Sequence, residues 1–115
     1  MILRFSKYGA RALWVLVAMV FCWGVESREV IKEVVFAKGG DQALALDIYK
    51  PSGQLRDGLI VWIHGGAWRA GSKEKVPILD LVDKGWALAS VNYRLSGEGK
   101  FPAQIHDIKA AIRFL

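Results

Sequence analysis

The sequence is poor in cysteine and histidine, which limits the chemistry that its side chains can perform. The single cysteine, Cys22, lies near the N-terminus, so residues 28–115 can form no disulfide bond. The two histidines, His64 and His106, are well separated, and the acidic residues are scattered along the chain. We therefore expect no metal site and no bound cofactor.

The chain also lacks a run of basic residues. Its net charge is +5, of which +2 comes from residues 1–27, where Arg4, Lys7 and Arg11 are opposed by Glu26. The remainder shows neither a basic cluster nor the interleaving of basic and aromatic residues that is typical of nucleic-acid binding. A mildly basic, solvated surface and no nucleic-acid partner are expected.

No apolar run is long enough to cross a membrane comfortably. The longest, residues 12–25, follows three basic residues and precedes a polar segment, which is the layout of a secretory signal peptide. As a helix it would cover roughly 21 Å, less than the ~30 Å that a helix of ~20 residues spans across a bilayer. The sequence predicts that residues 1–27 are a signal peptide and that residues 28–115 are exported to the periplasm or the medium. The alternative is an uncleaved N-terminal anchor, the one route by which this chain would contact a membrane.

Residues 29–115 predict an α/β fold. A segment rich in β-branched residues and a second apolar segment of period two flank the turn-forming residues 38–41 and indicate an antiparallel hairpin. Strand and helix patterns then alternate, which is typical of a mostly parallel sheet with helical crossovers. Strands are predicted at 29–36, 43–49, 59–63 and 86–92, and helices at 76–84 and from 103 onward.

The most informative segment is the loop after the third strand. Five apolar residues, 59–63, are followed by His64-Gly65-Gly66-Ala67-Trp68. Two glycines after a buried-type strand let the backbone turn tightly and approach a ligand closely. Such a loop can present peptide N–H groups to a developing negative oxygen.

Four segments resemble the α/β-hydrolase esterases and lipases. Residues 64–68 resemble their HGG(G/A)-type oxyanion loop. Residues 46–51 (LDIYKP) resemble the "LDVYxP" strand end, residues 90–95 (SVNYRL) the "VNYRL" strand end, and residues 101–111 (FPAQIHDIKAA) the "FPAxxxDxxAA" helix. The four occur in the family's order. The resemblance covers roughly residues 29–115 and points to hormone-sensitive-lipase-like or BD-FAE-like acetyl-xylan or feruloyl esterases.

The resemblance implies a serine carboxylesterase or lipase that acts on a small-molecule or carbohydrate-linked ester, without a cofactor. Carried over by position, Gly66 and Ala67 would supply the N–H donors of the oxyanion hole. Gly65 would permit the turn, while His64 and Trp68 would support the loop, with His64 bonded to the backbone rather than acting as a base.

One departure from the family pattern is large: no G-x-S-x-G occurs in this sequence. We therefore expect residues 28–115 to be the N-terminal part of an α/β-hydrolase domain, incomplete and inactive by itself because the Ser-Asp-His triad is missing. The alternative is a non-catalytic pseudoenzyme or interaction module of the same type.

Several other residues have structural interpretations. Asp107 is expected to be a structural acid, paired with Arg94, and His106 cannot face it because adjacent helical residues point apart. Tyr93 is expected to brace the strand end near the loop. Trp68 is expected either to pack under the loop or to line an acyl or alcohol pocket. The remaining expectations are a solvated face formed by Arg69, Lys73 and Lys75, and core positions for Trp62 and Trp86.

Overall fold

The computed structural model describes residues 28–115. The predicted signal peptide or anchor, residues 1–27, lies outside the described residues. The elements are β1 (Glu29–Gly39), β2 (Gln42–Lys50), β3 (Leu59–Ile63), α1 (Asp80–Asp83), β4 (Ala87–Val91) and α2 (Ala103–Phe114).

The predicted hairpin is present. β1 pairs antiparallel with β2 through a two-residue turn, in which Gly40 has a φ of 64°. Glycine adopts this left-handed conformation without the steric cost that a side chain brings. The register of the pair shifts between Ile31 and Val34, where β1 contains a bulge. At the bulge, the N–H of Glu33 donates to the side chain of Asp47 on β2 over 2.9 Å.

The four strands form one mixed sheet in the order β1-β2-β4-β3. β3 and β4 are parallel, as expected for strands joined by a crossover, whereas β2 and β4 are antiparallel. One of the three pairings in this part of the sheet is therefore parallel and two are antiparallel. The reason is that the hairpin supplies two of the four strands.

The core lies on both faces of the sheet. On one face, α2 packs its buried Ala111 against Leu46 and Val91. On the other face, the segment that contains α1 packs Val82 against Tyr49 and Leu88. The sheet is thus the middle of three layers, which is the architecture expected of an α/β domain.

Three predictions about individual elements need correction. The regular helix begins only at Asp80, because Pro77 has no N–H to donate and disfavours helical backbone at the residue before it. Trp86 is half-buried rather than core, with the guanidinium of Arg56 5.8 Å from its ring centroid. β3 is half-buried, since within residues 28–115 it has a strand neighbour on one side only. Trp62 is also half-buried, but it packs against the cluster of Tyr49, Val82 and Leu88.

Candidate active site

The loop that leaves β3 has an unusual backbone. Gly66, Ala67 and Trp68 have φ values of 120°, 52° and 65°. The carbonyl of Gly66 accepts hydrogen bonds from the N–H groups of Arg69 (2.9 Å) and Ala70 (3.1 Å), which closes a tight turn. A Cβ at residue 66 would lie 2.0 Å from the carbonyl oxygen of Ala70, so only glycine fits there. Two consecutive non-glycine residues with positive φ indicate a conformation that the surrounding contacts impose.

Within residues 28–115, the turn leaves several backbone N–H groups of the loop without an acceptor, those of Gly66 and Ala67 among them. Neither the Gly66 N–H nor the Ala67 N–H donates a hydrogen bond to another atom of the part of the chain that the structure describes. Both residues are exposed at the end of β3. Because unpaired backbone donors are strong and fixed in direction, this pair can bind an anionic oxygen.

His64 is buried and supports the loop. Its Nδ1 lies 2.9 Å from the carbonyl oxygen of Gly65, and because a carbonyl only accepts, Nδ1 carries the proton in this bond. The imidazole stacks on the ring of Tyr93, with centroids 4.4 Å apart and planes 12° apart. The predicted bond from the His64 ring to the backbone is thus observed.

Tyr93 holds the loop from β4. Its hydroxyl donates to the carbonyl oxygen of His64 over 2.7 Å. Burial raises the pKa of the Tyr93 phenol above its usual value, so the donating, neutral form is favoured. The predicted bracing of this strand end is therefore present.

Trp68 lies at the outer side of the loop. Its indole contacts Tyr93 edge-on, with centroids 5.3 Å apart, and 42% of the residue is exposed. Its carbonyl accepts two hydrogen bonds from Ser96, one from the N–H (2.7 Å) and one from the hydroxyl (3.0 Å). The indole is thus partly packed and partly available at the surface next to the unpaired amides.

The predicted pairing of Arg94 with Asp107 is confirmed. The guanidinium donates from Nε and Nη2 to the two carboxylate oxygens over 2.9 and 2.7 Å, and the Arg94 backbone N–H adds a third bond of 3.0 Å. These hydrogen bonds raise the pKa of Arg94. Asp107 is buried whereas His106 is exposed, so the two adjacent residues do not form an orienting pair.

The prediction for Lys73 is wrong. This residue is 2% exposed instead of lying on a solvated face, and its ammonium contacts Glu33, Asp47 and Glu74. Burial alone would lower the pKa of Lys73, but the hydrogen bonds to Glu33 and Asp47 outweigh it and hold the pKa above its usual value. The available signal was Asp47, a carboxylate between two apolar residues of a strand, which needs a cationic partner if it is buried.

An open depression of about 490 Å³ lies beside the loop. Its walls include Trp62, His64, Gly65 and Pro77, and they are mainly apolar. A larger depression of about 700 Å³, lined by residues 51–57 and 82–86, lies at the opposite ends of β3 and β4. The smaller one is lined by His64 and Gly65 at the start of the glycine loop, whereas the larger one is lined by no residue of that loop.

Three serines of the described residues bond to groups other than a catalytic base. Ser90 and Ser96 donate to the backbone carbonyls of Lys73 and Trp68, and Ser72 bonds to the carboxylate of Glu74. Residues 28–115 contain no group of three or more side chains able to hold a metal ion. Over the same residues, none of the helices has the length and apolar character of a membrane span.

Comparisons with known proteins identify the family of the chain. The sequence model of the BD-FAE family matches residues 46–115, which is more than half of the chain. The chain therefore belongs to the BD-FAE family of α/β-hydrolase esterases.

Individual relatives support the same assignment. An arylesterase from Saccharolobus solfataricus is 36% identical over 75 residues, covering 63% of this chain and 24% of the relative. Among solved structures, a bifunctional GH43-CE protein of Bacteroides eggerthii is 41% identical with a TM-score of 0.62, covering 74% of this chain and 13% of that one. A solved arylesterase is 32% identical with a TM-score of 0.61, covering 75% and 29%. The chain spans about a quarter of the length of the curated relatives it matches.

Proposed function

We propose that this chain is the N-terminal part of an exported serine carboxylic-ester hydrolase and that Gly66 and Ala67 form the loop side of its oxyanion hole. The observation that carries the proposal is that the N–H groups of Gly66 and Ala67 have no acceptor among the described residues. They lie on a turn whose first residues are held by hydrogen bonds from His64 and Tyr93. Membership in the BD-FAE family supports an esterase-type reaction.

The chemistry would divide between two parts of the protein. A serine attacks the ester carbonyl, and the carbonyl oxygen becomes an anion in the tetrahedral intermediate. The amides of Gly66 and Ala67, together with the N–H after the serine, would hold that oxygen. Losing one such donor typically costs about 10²–10³ in rate. The serine, acid and histidine of the triad would lie beyond residue 115, so residues 1–115 alone would have no esterase activity.

The proposed substrate is a small-molecule or carbohydrate-linked ester. The apolar depression beside the loop is open and would accept an acyl or alcohol group. The exposed edge of Trp68, adjacent to the amides, would contact a flat group of the ester. Arylesterases among the relatives are consistent with a small aryl ester as the first substrate to test.

The decisive experiment starts with the coding DNA after the codon for Leu115. We expect an open frame that encodes a strand and G-x-S-x-G within roughly 30 residues, followed by an acid and a histidine. The full-length product should then hydrolyse 4-nitrophenyl acetate. A stop codon directly after Leu115 would refute the proposal and favour a non-catalytic module.

A matched pair of variants tests the loop itself. In the full-length protein, Gly66→Ala places a methyl group against the Ala70 carbonyl and should lower kcat at least about 100-fold. Gly97→Ala is the control, because a Cβ at that exposed glycine would meet no atom within 4 Å. Equal activity of the two variants would refute the role of the loop.

Export is tested separately. The mature protein should be recovered outside the cytoplasm with an N-terminus after Gly24 or Ser27, the two positions where the leader offers a cleavage site. Recovery of the intact leader in the membrane fraction would instead support the uncleaved anchor.

A further inference from the structure

The loop that starts at His64 returns to the sheet at Lys73, and both peptide groups of Lys73 are fixed there. Its N–H donates to Oδ1 of Asn92 over 2.7 Å, and its carbonyl accepts from the hydroxyl of Ser90 over 2.8 Å. Ser90 is fully buried in β4. The end of the loop is therefore attached to the same strand that carries Tyr93 at its end.

The side chain of Lys73 adds a second attachment. Its ammonium donates to Glu33, lies 3.0 Å from Oδ1 of Asp47 and lies 3.3 Å from Oε1 of Glu74. Three acceptors match the three donors of an ammonium group. Asp47 is 1% exposed, whereas Glu33 and Glu74 reach solvent, so the buried contact is the one between Lys73 and Asp47.

The hairpin is deformed at this point. The bulge in β1 gives Glu33 a φ of 57°, and its N–H donates to the same Oδ1 of Asp47 over 2.9 Å. A non-glycine residue with positive φ persists only where neighbouring contacts hold it. β1, β2 and β4 thus all contact one lysine that follows the glycine loop.

Gly71 connects this attachment to the unpaired amides. It has a φ of 99°, and a Cβ there would lie 2.5 Å from both the Gly65 carbonyl oxygen and Nδ1 of His64. The backbone of residue 71 is therefore in direct contact with the start of the loop. A displacement of Lys73 would move Gly71 and, through it, His64 and Gly65.

We propose that Lys73 is a positioning residue, which acts through Gly71 to hold the amides of Gly66 and Ala67 in the direction that an oxyanion requires. The inference rests on the proposed function of those amides. An ion pair with only a stabilising role could be replaced by apolar residues at no cost to the loop. A positioning role instead predicts an effect confined to residues 64–72 and to the chemical step.

The test uses Lys73→Met in the full-length protein carrying Asp47→Asn, so that no unpaired buried carboxylate remains in β2, and the comparison is with Asp47→Asn alone. Amide hydrogen exchange of residues 64–72 should rise about tenfold or more, while β2 and β4 retain their protection relative to the rest of the sheet. Because a small displacement of catalytic donors costs up to about 100-fold in rate, kcat for 4-nitrophenyl acetate should fall about 10- to 100-fold with KM within about twofold.

Two further variants keep the test decisive. Val82→Ala is the control for stability, because Val82 is fully buried in the cluster formed with Tyr49 and Leu88. It should raise exchange throughout the sheet without changing kcat per folded molecule. Ser90→Ala removes the donor to the Lys73 carbonyl without leaving a buried charge, so it can be used even if Lys73→Met does not fold. It should raise the exchange of residues 64–72 in the same way, but by a smaller factor.

The proposal would be overturned if residues 64–72 exchanged in both Lys73→Met and Ser90→Ala at the rate of the respective parent protein, Asp47→Asn for the first and the wild type for the second. It would also be overturned if Val82→Ala lost as much kcat as Lys73→Met. Failure of the proposed function has a different signature. In that case the wild-type protein hydrolyses no ester, and the exchange of residues 64–72 alone decides whether Lys73 positions the loop.

Discussion

The hydroxyl of Tyr93 donates a 2.7 Å hydrogen bond to the carbonyl oxygen of His64, and the two rings stack at 4.4 Å. This contact joins the end of β4 to the first residue of the glycine loop. Two parallel neighbouring strands therefore end in residues that hold each other, which fixes the loop relative to the sheet. Because Tyr93 contacts His64 through both its hydroxyl and its ring, a variant that removes only the hydroxyl measures the contribution of the hydrogen bond separately from that of the stacking.

Removing this hydroxyl with Tyr93→Phe keeps the stacked ring and leaves the His64 carbonyl without its donor. The expected loss is about 1–3 kcal/mol of unfolding free energy, the usual cost of an unsatisfied buried polar group. Urea unfolding of the full-length protein measures it. Tyr49→Phe is the matched control: Tyr49 is also buried, but within residues 28–115 its hydroxyl forms no such bond, so a loss below about 0.5 kcal/mol is expected. Equal losses would contradict the role of the Tyr93 hydroxyl.

The buried pair of Arg94 and Asp107 should contribute more to the free energy of unfolding than an exposed ion pair does. Asp107→Asn removes the charge that accepts three hydrogen bonds, and a loss of about 1.5–3 kcal/mol in unfolding free energy is expected. Asp80→Asn breaks an exposed pair with Lys84 and should cost no more than about 0.5 kcal/mol. Denaturant titrations of the two variants in parallel give the comparison, and similar costs would show that burial of Asp107 has no energetic consequence.

The lowered pKa of Glu74 predicts how the stability of the fold depends on pH. The hydroxyl of Ser72 and the backbone N–H of Glu74 itself stabilise the carboxylate and lower the pKa of Glu74 from 4.5 to about 2. Because the pKa is lower in the folded state than in the unfolded state, the ionised form favours folding. This contribution is fully present above about pH 4.5 and is lost as the pH falls toward 2.

Glu74→Gln should therefore be less stable than the wild type near pH 6, with a difference that disappears by about pH 2. Ser72→Ala should raise the pKa of Glu74 toward its ordinary value, which an NMR titration of the carboxylate measures directly. A stability difference that does not change between pH 6 and 2 would contradict the assignment.

The elements that sequence patterns predicted correctly are those whose signal is local. The hairpin, β3 and α2 each follow from apolar residues within their own segments. Arg94 and Asp107 lie in two of the segments that resemble the family, residues 90–95 and 101–111, and their predicted pairing is present. The family and its fold followed from four short segments in order.

The error at Lys73 has a different origin. Residues 69–75 are polar, and polarity alone predicts exposure, but the bulge at Glu33 and the buried Asp47 create a site for a cation from elsewhere in the chain. No spacing within residues 69–75 encodes that site. Similarly, apolar periodicity includes Val76, Ile78 and Leu79, which pack against the cluster of Val82 and Leu88, but it does not report the effect of Pro77 on the start of α1.

The last prediction concerns residues 28–115 as an isolated polypeptide. Within these residues, β3 has one side without a strand neighbour, so its N–H and C=O groups form an open edge. α2 leaves Ile112 and Phe114 57% and 50% exposed, and Val35 of β1 is 55% exposed. Exposed apolar surface together with an open edge favours association, so this polypeptide should be poorly soluble or molten by itself. Size-exclusion chromatography, near-ultraviolet circular dichroism and binding of a hydrophobic dye measure the outcome. A soluble monomer with a sharp, cooperative melt would contradict the prediction and show that the four strands and α2 form an independently stable domain.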